Sequence, residues 1–169
     1  MEKPQPNSQQ YELEDNDFII SKTDLKGRIT YCNQIFIRLS QYDEKELIGA
    51  PHNIIRHPDM PRIIFKLLWE RIQSQQEIFA FIKNLTKDGG YYWVFANITA
   101  SLDINGASIG YYSVRRKANQ EAMPTIIALY QKLSALEKSE NISASEQYLN
   151  DFLEKKEMNY DEWVISLQG

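Results

Sequence analysis

Three short segments ending in glycine divide runs of β-branched and aromatic residues: Asp24-Leu25-Lys26-Gly27, Lys87-Asp88-Gly89-Gly90 and Asp103-Ile104-Asn105-Gly106. Glycine reaches the positive φ that a tight turn needs, so each segment closes a hairpin and pairs the runs on either side of it. The paired runs are 18–23 with 28–32, 78–85 with 91–102, and 91–102 with 108–116. Between residues 33 and 74 the period changes. Asn33 is placed to cap a helix whose Ile35, Phe36 and Leu39 share a face. Asp43-Glu44-Lys45-Glu46 carries capping-box spacing for a second short helix, which Gly49 stops. Ile63, Ile64, Leu67, Leu68 and Ile72 mark a longer amphipathic helix over 61–74, with Phe65 and Trp69 on its flank. The order is two strands, short helices, one longer helix and three strands. It predicts an α+β fold, a five-stranded antiparallel sheet with helices on one face, and any ligand lies between the two layers.

Around this domain, residues 1–16 are rich in Gln, Pro, Asn and Glu and are expected to form a flexible arm. The domain itself spans 17–117, and 118–169 forms a helical extension. Its first helix, over 121–140, carries Ile126, Leu129, Tyr130 and Leu133 as one stripe, with Pro124 in the first turn. Ser143 or Ser145 caps a second helix running to about 156, and a third covers 160–167. The 169 residues carry a net charge of −4, and no basic run opposes it, which argues against nucleic acid as the partner. No apolar run approaches the roughly 20 residues of a membrane span, and the N-terminus lacks an apolar signal core, so a cytoplasmic location without direct membrane insertion is expected. Cys32 is the single cysteine and is expected to be a small buried apolar side chain.

The segment from Pro51 to Pro61, Pro-His-Asn-Ile-Ile-Arg-His-Pro-Asp-Met-Pro, is unlike a connector. It holds both histidines of the chain, an arginine, a carboxylate and three prolines. Each proline fixes its own φ and steers the preceding residue out of the helical region, so the segment reads as short turns with helix resuming at Pro61. So many geometry-restricted polar residues point to a ligand loop. No nucleophile elbow, phosphate-binding glycine loop or zinc-hydrolase helix is present, and the chain is not expected to be an enzyme.

Residues 23–33, Leu47-Ile48-Gly49, the 51–61 segment and Lys83-Asn84, in this strand order, resemble a PAS domain of the aerotaxis (Aer-like) subgroup over about 17–117. The resemblance implies non-covalently bound FAD serving as a redox sensor for energy taxis. It further implies a stand-alone, CetB-like arrangement acting in trans on the cytoplasmic part of a membrane chemotaxis transducer, and reaching the membrane only through that partner. The implied flavin-site residues are Asn33, His52, Arg56, His57, Asp59, Trp69 and Asn84. The aromatic that relatives place at the start of the next strand is Ile78 here, with Phe79 beside it. Chemically, Arg56 offers a planar fork for phosphate, Asn33 and Asn84 offer both donor and acceptor to a ring edge, and Trp69 offers a stacking face. The duller reading of Arg56 and Asp59 is a pair that braces the loop. His52 and His57 leave haem or another small metabolite, or no cofactor, as alternatives, although their spacing matches no metal motif. The 118–169 helices are expected either to meet the transducer or to pack on themselves, with a homodimer as one outcome.

Overall fold

Asp24 builds the first turn: its carboxylate accepts from the backbone N–H of Lys26 and of Arg28, both at 2.9 Å, and Gly27 follows at φ +79°. The hairpin so formed is β1 (Ile19–Thr23) with β2 (Ile29–Cys32). Asn33 then caps α1 (Gln34–Ser40), and Asp43 with Glu46 forms the capping box of α2 (Glu44–Leu47). A 3-10 turn over His52–Ile55 leads to α3 (Arg62–Gln73), and Pro61 occupies the position before its first turn rather than within it. Strands β3 (Ile78–Leu85), β4 (Tyr91–Leu102) and β5 (Ser108–Lys117) complete one antiparallel sheet in the order β2-β1-β5-β4-β3. The computed structural model describes residues 2–169.

The extension forms α4 (Met123–Ser139), α5 (Ile142–Lys156) and α6 (Tyr160–Gln168), preceded by a 3-10 turn over Gln120–Ala122. Asn141, not Ser143 or Ser145, caps α5, and the Ser145 hydroxyl donates to Glu137 instead. These helices pack on the domain: the Tyr130 hydroxyl donates to the Phe81 carbonyl of β3 at 2.6 Å, and its ring lies against Trp93. They also hold α3 through Arg71–Asp161 at 2.6 Å and Lys66–Glu146 at 3.1 Å. β3 is an edge strand whose outward polar groups need partners, and α4 supplies one of them.

A further expectation changes. The N-terminal residues do not project from the domain: Tyr11 N–H donates to the Tyr91 carbonyl at 2.8 Å, Asn7 N–H to that of Gly89 at 2.8 Å, and Leu13 is 2% exposed. A strand-like series of backbone bonds and one buried leucine offset the polar composition that suggested a flexible arm. Cys32 is buried, as expected.

Candidate functional site

A cavity of about 180 Å³ lies between the sheet and α3. Its apolar wall comes from Phe65, Leu68, Trp69 and Ile72 of α3 facing Ile82 and Ile98 of β3 and β4. Alternation along the strands sets the rest: Ser21 and Thr23 on β1, and Tyr111, Ser113 and Arg115 on β5, point to the same side. Gly27 closes one end, where the absence of a side chain lets the Trp69 ring approach; a Cβ there would sit 3.1 Å from that ring. Trp69 meets Tyr111 edge to face at 5.6 Å.

The 51–61 segment forms the rim and is pinned at both ends. Pro51 bridges Arg28, and His52 N–H donates to the Gly27 carbonyl at 2.9 Å. Arg56 bridges Asn84 of β3. His52, Arg56, Trp69 and Asn84 all line the cavity. The Arg56 guanidinium stacks on Phe65, 3.6 Å from the ring centroid, and its buried Nε has no partner. Asn84 is 3% exposed and its amide Nδ2 has no partner either, nor has the hydroxyl of its cross-strand neighbour Tyr92. Buried donors of this kind are costly unless a ligand or water satisfies them.

Three of the expected site residues do not line the cavity. Asn33 spends its amide on backbone: its Oδ1 accepts from Ile20 and Phe36 N–H, both at 3.1 Å, and its Nδ2 donates to the Phe18 carbonyl at 2.8 Å. His57 and Asp59 brace the rim. The Asp59 N–H donates to His57 Nδ1 at 3.0 Å, and Lys83 donates to the Asp59 carboxylate at 2.8 Å. Burial, and then the Lys83 charge, push the His57 pKa down to about 4, so His57 is neutral and its 3.6 Å approach to Asp59 is not an ion pair at neutral pH. Burial raises the Asp59 carboxyl, but the Lys83 hydrogen bond and charge more than offset this and leave it below its ordinary value. The brace partner of Asp59 is therefore Lys83, not Arg56. Ile78 is fully buried, while Phe79 stacks on Phe95 at 5.8 Å; neither lines the cavity.

A residue that the sequence did not single out stands at the back of the site. Arg115 is 2% exposed, donates from Nη2 to Ser21 Oγ at 2.8 Å, and places Nη1 3.1 Å from His52 Nε2. Its guanidinium lies 4.7 Å from the Phe36 ring centroid. Only the period-2 series Tyr111, Ser113, Arg115 hinted at a cavity-facing position. With Arg115, Arg56 and Lys26, the lining carries three cations and no carboxylate, in a chain whose net charge is −4. The cavity thus joins an apolar wall to a positively charged lining, which suits a ligand carrying negative or electron-rich groups.

Comparison with known proteins agrees with the fold. The chain is 36% identical to the aerotaxis receptor of Escherichia coli over 139 residues, which is 82% of this chain and 27% of the receptor. It is 29% identical to the nitrogen fixation regulatory protein of Klebsiella pneumoniae over 62% of this chain and 21% of that protein. The chain thus spans about a quarter of the length of these relatives. Among solved structures, the PAS domain of a Colwellia psychrerythraea protein superposes with a TM-score of 0.55 at 25% identity, covering 59% of this chain and 85% of that one. A light-oxygen-voltage domain studied with a flavin analogue superposes at 0.58 and 22% identity, covering 66% and 83% respectively, which speaks for the fold alone. The PAS fold family matches residues 11–115, six residues earlier than the start expected from composition. With that match, the sheet order and the cavity under α3 all in agreement, the chain belongs to the PAS family.

Proposed function

We propose that this PAS domain binds FAD non-covalently between the sheet and α3, and that it serves as a redox sensor in energy taxis. The observation that carries the reading is the charge of the cavity: three cations, no acid, and unpartnered buried donors on Arg56 and Asn84, around an apolar slot. Arg56 would hold a phosphate group, Asn84 would meet the polar edge of the ring, and Trp69, Leu68 and Ile82 would enclose its flat faces. Asn33, His57 and Asp59 would hold the rim in shape rather than touch the cofactor. The enclosed volume is below the roughly 300–1,000 Å³ of pockets that swallow a whole ligand, so the adenosine end of a dinucleotide belongs at the mouth. FAD, when bound, supplies reversible electron transfer; the chain supplies orientation, exclusion of water and charge.

Haem fits less well. His52 turns its Nε2 toward the Arg115 guanidinium, where a second cation would be repelled, and His57 spends Nδ1 on a backbone N–H. The modest volume favours one competing reading, a smaller anionic metabolite. The similarity to the aerotaxis receptor supports a role in signal transduction; the partner proposed for it is a membrane chemotaxis transducer addressed in trans. No helix among the described residues is long and apolar enough to cross a membrane. The docked helices α4 to α6 leave Phe18 and Tyr31 exposed at 47% and 46%, and this part of the outer sheet face is the surface proposed to meet the transducer or a second copy of the chain.

The absorption spectrum of the purified protein tests the cofactor. Yellow protein absorbing at roughly 450 nm, a property of flavins, with FAD released on denaturation, supports the reading; colourless protein that takes up no FAD sinks it. Arg56→Ala and Asn84→Ala should lose FAD while remaining folded. Co-purification with the cytoplasmic part of a transducer tests the partner.

A further inference from the structure

The guanidinium of Arg115 has only neutral neighbours. Arginine donates and never accepts, so the His52 Nε2 that faces it at 3.1 Å carries no proton, and the ring proton sits on Nδ1. Ser21 Oγ accepts from Arg115 and lies 2.9 Å from the same Nε2, to which it donates its own proton. The single lone pair of Nε2 is shared between these two donors, and none of the three side chains offers a negative charge. Among the described residues no carboxylate forms an ion pair with Arg115, and its buried Nε has no partner. Burial pulls its pKa down to about 10, which still leaves it charged at neutral pH. An uncompensated charge in such a place destabilises the empty protein, whereas the same charge facing a ligand becomes recognition. Register places it there: Ser21 pairs with Ser113, so Arg115 lies diagonally across from Ser21 on the face that lines the cavity.

We propose that Arg115, clamped by Ser21 and His52, is a second anion-recognising residue of this cavity beside Arg56, and that the ligand presents to it an edge that is negative or becomes so. Resting on the FAD reading, that edge is the pyrimidine side of the isoalloxazine ring. When an added reductant such as dithionite gives up two electrons and is oxidised to sulfite, one proton taken at N5 leaves one negative charge at N1 of the ring. Arg115 then faces a full charge in the reduced form and only a carbonyl dipole in the oxidised form. It therefore favours reduction.

The test compares the full-length wild type with Arg115→Gln, which keeps a donor for Ser21 or His52 but no charge, and Arg115→Lys, which keeps the charge. With FAD loaded, Arg115→Gln should lose at least tenfold of the preference for reduced over oxidised cofactor, a fall in midpoint potential of about 30 mV for a two-electron couple, while Arg115→Lys stays nearer to wild type. Stripped of FAD, Arg115→Gln should unfold at higher urea than stripped wild type, because the unpaired charge is gone. An unchanged potential, an equal shift in the Lys and Gln variants, or a stripped Gln variant no more stable than wild type overturns the proposal; failure to fold counts as the last of these. If wild type takes up no FAD, the cofactor reading falls. The urea comparison then still decides whether Arg115 carries an uncompensated charge.

Discussion

Replacing Glu137 with alanine should loosen the start of α3 from a distance of 75 residues along the chain. Pro61 precedes α3 and has no side chain that can cap it, so the first N–H groups of the helix lack a local acceptor. Glu137 of α4 provides one: its Oε1 accepts from Arg62 N–H at 2.7 Å and its Oε2 from Ile63 N–H at 3.0 Å, with the side chain 6% exposed. Ser145 Oγ donates to the same carboxylate at 2.9 Å, and Ser134 Oγ donates to the Asp59 carbonyl in the rim just ahead, at 3.2 Å. Loss of an N-cap costs about 0.5–2 kcal/mol, and a partly buried anion at a helix N-terminus contributes up to about 2 kcal/mol more. The two together give about 1–4 kcal/mol for Glu137→Ala. Glu137→Gln keeps one acceptor and loses the charge, so roughly half of that is expected. With a urea slope of about 2 kcal/mol per molar, the midpoint of Glu137→Ala falls by about 0.5–2 M, readable by circular dichroism or tryptophan fluorescence. The exposed Glu154→Ala serves as a control and should stay within about 0.5 kcal/mol of wild type. A Glu137→Ala midpoint equal to that of the control would refute the trans-cap. If it holds, the extension is coupled mechanically to the rim of the cavity.

Three further outcomes are expected. Burial, and then the Arg115 charge, push the His52 pKa from 6.5 down to about 3; the unfolded chain then binds a proton that the folded chain refuses. Stability is therefore fully present above about pH 6.5 and falls as the pH drops below it, by at most about 1.4 kcal/mol per pH unit from this group. Urea midpoints at pH 7, 6 and 5 should fall less steeply in His52→Gln, and parallel slopes would count against a buried neutral imidazole. Gly27→Ala places a Cβ 3.1 Å from Trp69 on a backbone at φ +79°, and should cost about 1–2 kcal/mol with a shift in tryptophan emission; an unaltered spectrum would show that Trp69 does not close the cavity there. Tyr130→Phe removes the donor to the buried Phe81 carbonyl and should cost about 1–3 kcal/mol, with faster proteolysis within α4 to α6. A proteolysis rate equal to that of wild type would mean that these helices are held elsewhere.

The glycine-ended turns, the five strands and the first three helices were legible in the sequence because each rests on local chemistry. Asn33 and Asp43 reach backbone N–H donors in the first turn of the helix each precedes, and Gly27 sits where the backbone turns to positive φ. The rim segment was legible as a special loop for the same reason: its prolines restrict it before any tertiary contact forms. Its individual side chains were not. Arg56 and Asp59 are three residues apart and opposite in charge, yet one stacks on Phe65 and the other pairs with Lys83, because β3 approaches the loop from outside it.

Arg115 and Arg116 show the same division more sharply. Adjacent strand residues point to opposite faces, so the chain alone requires that one arginine face each way. Which one enters the cavity depends on the register that pairs Ser21 with Ser113 and sets β5 between β1 and β4. Arg115 is the buried one, while Arg116 is exposed and lies 5.5 Å from the Phe95 ring centroid. The trans-cap by Glu137 and the docking of Leu13 are likewise contacts between distant parts of the chain. By itself the sequence determined the elements, their order and the place of the proline-rich rim segment, through turn chemistry, periodicity and capping. Only the tertiary structure decided which charges stand without partners inside the cavity, because compensation is a property of neighbours brought together by packing.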